Sequence, residues 1–147
     1  ANSEGVELEE TAARAIADVS LGDLRKAITS LQVAASLDSH VTRDLVYETT
    51  ATAPPEELHG FFLACKEDGF QPARRRMREI LDRFGLAGTD LVNQLHRELG
   101  KVTFLDEPQK LKVTEAMAEC DFRMVEGGGE SLQLDAMAAR ICGMLGN

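Results

Sequence analysis

The stretch that decides the reading is Ser20–Ala35, SLGDLRKAITSLQVAA. Leu24, Ala27, Ile28, Leu31, Ala34 and Ala35 recur at helical spacing and predict an apolar stripe. The opening is unusual for a helix that only fills a core. Gly22 permits a tight entry, and Asp23 suits the positive end of a helix. Arg25 follows within the first turn and off the stripe. An arginine so placed can donate two N–H groups to one phosphate. On this motif alone a salt-bridged surface arginine is the simpler alternative.

Working outward, the same rhythm fills the chain. Leu8, Ala12, Ala15, Ile16 and Val19 predict a first helix, and Thr42 is an N-cap for a short third one ending near Thr49. TATAPPEEL then marks a boundary, with Pro55 in the first turn of the next helix. Leu58, Phe61, Phe62 and Cys65 line one further helix. Ala73, Met77, Ile80, Leu81 and Phe84 line another, which FGLAG ends. Leu91, Leu95, Leu99 and Val102 form the next. Pro108 starts a long helix that is apolar on two sides: Leu111, Ala118, Phe122 and Val125 on one, Val113, Met117, Cys120 and Met124 on the other. EGGGE breaks it, and Leu134, Met137, Ala138, Ile141 and Leu145 make the last helix. About eight helices and no strand are expected, since no short run alternates with period two.

The 147 residues are 44% hydrophobic and only 5% aromatic, without tryptophan. That composition suits a packed core of aliphatic helices. The formal charge of −9 opposes nucleic-acid binding over the whole surface. Arg74, Arg75, Arg76 and Arg78 form a local basic cluster. Either it is a solvated face partly neutralised by Glu79 and Asp82, or it meets phosphate or an acidic neighbour. Three cysteines, Cys65, Cys120 and Cys142, are neither a disulfide framework nor a zinc module, and read as reduced thiols on apolar faces. His40, His59 and His96 have no metal-ligand spacing. The phosphate-binding loop and the nucleophile elbow are both missing. No apolar run is long enough to span a bilayer and no signal peptide opens the chain, so a cytoplasmic protein is expected.

Five blocks, LGDLRKAITSLQVAA, VTRDLVYETT, PPEEL, GLAGTDLVNQLHREL and CDFRMVEGGGESLQLDAM, occur in one order across nearly the whole chain. In that order they resemble the C-terminal part of the archaeal replication factor C small-subunit family, clamp-loader ATPases of the AAA+ class. The resemblance implies an all-α fold. Residues 1–52 would be most of a helical lid, and residues 53–147 a helical-bundle collar that mediates oligomerisation. It implies that the chain is a fragment whose nucleotide-binding domain lies upstream, that ATP is bound mainly there, and that Mg belongs to the full subunit. GDLR would be the sensor 2 motif. Arg25 alone carries over from it, as the group reaching the γ-phosphate; no catalytic residue or metal ligand carries over. The implied partners are other large and small clamp-loader subunits through the collar, then the sliding clamp and primed DNA through the full complex, with no membrane. Leu21 departs from the family, where a polar or acidic residue is usual, and EGGGE departs from an expected EGANE.

Two other readings compete. One is a free-standing helical protein-interaction module with no nucleotide role. The other is an arginine-helix DNA binder, whose affinity would collapse as salt rises.

Overall fold

A computed structural model describes residues 5–146. The described residues form two compact units, one ending at Thr52 and the other beginning at Ala53. Residues 1–4 of the expected lid, and Asn147, lie outside the described residues. The all-α expectation holds, with eight helices among the described residues.

The first unit comprises β1 (Glu7–Leu8), α1 (Glu10–Ser20), α2 (Leu24–Leu37), β2 (His40–Val41) and α3 (Arg43–Thr49). Its two strands correct the expectation of none. Leu8, read as the start of the first helix, sits in β1, and β1 pairs in parallel with β2, Glu7 opposite His40 and Leu8 opposite Val41. Strands two residues long show no periodicity, so only their tertiary pairing defines them. The Glu7 N–H donates to Ser39 O at 2.7 Å and the Glu9 N–H to Val41 O at 3.2 Å. The imidazole of His40 joins the same pair, its Nδ1 3.0 Å from Glu7 and its Nε2 2.9 Å from Glu9.

Between α1 and α2 the chain reverses in two residues. Leu21 (φ 51°) and Gly22 (φ 82°) are both left-handed, and the Asp23 N–H closes the turn on Ser20 O at 3.0 Å. This backbone is ordinary for glycine and costs leucine about 1–2 kcal/mol. Leu21 is also exposed.

The apolar stripe of α2 is less buried than its spacing predicts. Ala34 is fully buried, Ala27, Leu31 and Ala35 are half-buried, but Leu24 (74% exposed) and Ile28 (49%) are open. The reason is length. α1, with eleven residues, and α3, with seven, both pack on α2 and both are shorter than its fourteen, so they cover only part of it.

The second unit comprises α4 (Pro55–Glu67), α5 (Phe70–Phe84), α6 (Gly88–Leu99), α7 (Glu107–Val125) and α8 (Glu130–Leu145). Each end has a local cause. Pro55 stands in the first turn of α4. Gly85, left-handed at φ 63°, stops α5. Asp106 accepts from the Gln109 N–H while Gln109 accepts from the Asp106 N–H, which starts α7. Gly127, at φ 98°, stops α7, with the Gly128 N–H on Arg123 O at 2.7 Å and the Gly127 N–H on Met124 O at 3.1 Å. The core they enclose is Leu58, Phe61, Phe62, Met77, Ile80, Phe84, Leu91, Leu95, Met117, Met137 and Ile141, all nearly inaccessible. Each such side chain stabilises the unit by about 1.5–3 kcal/mol relative to exposure.

Hydrogen bonds from His40 to Glu7, then to Glu9, favour its charged form and raise its pKa above the ordinary 6.5. A raised folded value means that its contribution to strand pairing is full below pH 6.5 and is lost as pH climbs through the folded value. An NMR titration should therefore give His40 a midpoint above 6.5, moved down by Glu7→Gln. An unshifted midpoint would show that the imidazole does not join the strands.

Candidate functional site

Arg25 lies in the first turn of α2, one position after Leu24, the first helical residue. Asp23 is the N-cap, and its Oδ1 accepts from the Arg25 N–H at 2.9 Å and the Lys26 N–H at 3.3 Å. The cap therefore fixes the backbone of both cations. Ala34, the buried residue of α2, stands nine positions further on. At about 100° per residue that puts Arg25 on the opposite, outward side. Its side chain is exposed, and no carboxylate among the described residues pairs with its guanidinium. The salt-bridged surface arginine left open by the motif is not what these residues show.

Arg25 and Lys26 border an open cleft of about 460 Å³, completed by Thr29 and Ser30 of α2 and by Thr49 and Thr50 at the end of α3. The Thr49 and Thr50 hydroxyls donate back to Leu45 O and Val46 O, at 2.8 and 2.7 Å. With those protons engaged, Arg25 and Lys26 are the charged groups that the cleft could offer to an anion. These residues suit a phosphate group. Among the described residues no cluster of His, Cys, Asp or Glu is suited to a metal ion.

Of the two readings of the α5 basic cluster, the structure shows the acidic neighbour for three of the four arginines. Arg74 Nε lies 3.1 Å from Asp135 of α8, and Arg78 reaches the same carboxylate at 2.8 Å and Ser131 at 2.7 Å. Arg76 faces Glu57 of α4 at 3.6 Å and packs over Gly60, where a Cβ would collide with it. Arg75 remains exposed. The neutralising acids are on neighbouring helices and not at Glu79 and Asp82, because α4 and α8 both pack on α5. Sequence spacing carries no signal for such long-range pairs. The histidines are also in part structural: His40 joins the strands, and His59 lies 2.9 Å from the buried Glu98.

The second candidate feature is the outer face of α7. Val113, Ala116, Met117 and Cys120 are buried, while Leu111, Phe122 and Val125 on the opposite side are 63–70% exposed, as is Leu132 of α8. An exposed patch of large apolar residues is a mark of an interaction surface.

Two substitutions separate the roles at the head of α2. Asp23→Ala should destabilise the chain by about 1 kcal/mol through the lost cap. Arg25→Ala should change stability by less than about 0.5 kcal/mol, as an exposed side chain without a partner does. Urea unfolding of the chain measures both. Equal losses would show that the guanidinium holds the fold.

The comparisons with known proteins follow the two units. Residues 1–36 match the RCF1/5-like, AAA+ ATPase lid domain family, and residues 53–140 match the replication factor C C-terminal domain family. A replication factor C small subunit from Methanopyrus kandleri is 40% identical over 141 residues, 96% of this chain and 22% of that protein. Proteins of the same name from Pyrococcus horikoshii and Natronomonas pharaonis are 39% and 36% identical, covering 95% and 96% of this chain and 16% and 43% of theirs. The chain thus spans less than half the length of these relatives. With its lid-family segment, its all-α fold and a C-terminal match across most of the second unit, the chain belongs to the replication factor C C-terminal domain family.

Proposed function

We propose that this chain works as the lid and collar portion of a clamp-loader ATPase subunit, with residues 1–52 as most of the lid and 53–147 as the collar. The observation that carries the reading is Arg25: an exposed cation, held by a capped first helical turn and paired with no carboxylate among the described residues. In the whole subunit ATP and Mg would be bound mainly by an upstream nucleotide-binding domain. When bound, the nucleotide supplies a terminal phosphate, and Arg25 donates to it as the sensor 2 arginine. Arg25 needs that anion to hold the lid inward, so the lid is released when the anion leaves. No residue of this chain is assigned a catalytic or metal-binding role, and the chain alone should not hydrolyse ATP.

The outer face of α7 supports the second half of the proposal. Its apolar side packs against large and small subunits of the same loader, and the ring so formed places a sliding clamp on primed DNA in the cytoplasm. No helix here is long and apolar enough to cross a membrane. A free-standing interaction module also accounts for that open face. It gives no account of an exposed arginine that is held at a capped helix start and pairs with no carboxylate among the described residues.

Arg25→Ala in the whole subunit should lower ATP-dependent clamp loading by at least about tenfold, as removal of one charge-stabilising arginine does in phosphoryl-transfer machines. Assembly of the complex should be retained. Loading at the unaltered rate would exclude the phosphate role.

A further inference from the structure

The second unit holds two thiols side by side. α4 and α8 pack on one another, and Cys65 of α4 and Cys142 of α8 are both free and buried. Backbone geometry places their turns together. Gly146, which ends α8, lies against both cysteines: a Cβ there would stand 2.8 Å from Cys142 O and 3.8 Å from Cys65 O. The last turn of α8 therefore runs along the turn of α4 that carries Cys65. The two side chains hydrogen-bond to each other.

That hydrogen bond, then burial, pushes the Cys65 thiol far above its ordinary range. Accepting the same bond pulls Cys142 down. Cys142 is therefore the more readily ionised of the two thiols, and its thiolate, once formed, is the nucleophile. Access comes from position. Cys142 is itself buried, and a small oxidant reaches it by fraying of the last turn of α8, since helix ends open more easily than helix middles. Cys120 differs on each point. It donates to Gln133 O at 3.4 Å, and burial, then the charge of Asp121, pushes it up to about 11.

We propose that Cys65 and Cys142 form a redox site that reacts with a hydroperoxide and closes into a reversible disulfide between α4 and α8. The Cys142 thiolate attacks the terminal oxygen of the hydroperoxide. The O–O bond breaks, the alkoxide leaves and takes a proton from water, and Cys142 becomes a sulfenic acid. The sulfur is oxidised by two electrons and the peroxide is reduced to an alcohol. Cys65 then attacks the Cys142 sulfur. The S–S bond forms, the S–O bond breaks, and hydroxide departs with the Cys65 proton as water. An external thiol reverses the closure. The product ties the first helix of the unit to its last.

The test uses the folded 147-residue chain treated with hydrogen peroxide and then mapped by mass spectrometry. The expected result is loss of the mass of two hydrogen atoms, a peptide cross-linked between Cys65 and Cys142, and a Cys120 still open to alkylation after unfolding. Cys120→Ser should leave the cross-link intact, and Cys142→Ala should abolish it. Cys65→Ala should leave a sulfenic acid at Cys142 that a dione reagent traps. Retained mass, a cross-link through Cys120, or trapping at Cys120 in the Cys65→Ala chain would overturn the assignment.

Discussion

The carboxylate of Asp23 on the Arg25 and Lys26 N–H groups in the first turn of α2 sets the phase of everything that follows in the first unit. A helix begun one residue earlier or later would turn every side chain by about 100°. Ala34 would leave the core and Arg25 would leave the outward face. The two left-handed residues before the cap fix where the chain re-enters, and Leu21 adopts that conformation at a steric penalty that glycine would avoid. The cap thus couples a local hydrogen bond to the placement of one cation, and through it to the proposed response of the lid to a nucleotide.

The second unit follows a different logic. Its core is dense, and its polar groups tie helix to helix: two arginines of α5 on Asp135, and Arg76 on Glu57. These partly buried pairs fix helix register more than they add stability, since exposed portions of such pairs are screened by water. With α7 sealed on its inner side, the opposite side presents Leu111, Phe122 and Val125 to solvent. A helix with two apolar sides and one packed neighbourhood has a surface left over for a partner, which is the feature that the proposed collar role uses.

How much was legible depended on distance along the chain. Helix ends set by one residue could be read directly: Pro55, Gly85, the Thr42 cap, and the glycines after Val125, while Asp23 was read as suiting a helix N-terminus but not as its cap. The two apolar sides of α7 were equally clear, because helical phase is local. The paired strands were not, since two residues on each side give no period. The stripe of α2 was read correctly as helical but too readily as core, because spacing says nothing about how long the covering helices are. Arg25 stood out by its place in GDLR and by resemblance. The cleft beside it, which brings Thr49 and Thr50 at the end of α3 to Lys26, depends on a tertiary approach that no motif encodes. The same holds for the arginine pairs of α5 and for the two adjoining cysteines.

The most direct test of the account reads Arg25 itself in the whole subunit. An arginine-specific dicarbonyl reagent should modify its guanidinium quickly when nucleotide is absent or when ADP is bound. With a non-hydrolysable ATP analogue the rate should fall several-fold, and Arg75 should serve as the unprotected reference. Equal modification of Arg25 with both nucleotides would contradict the claim that this side chain senses the terminal phosphate.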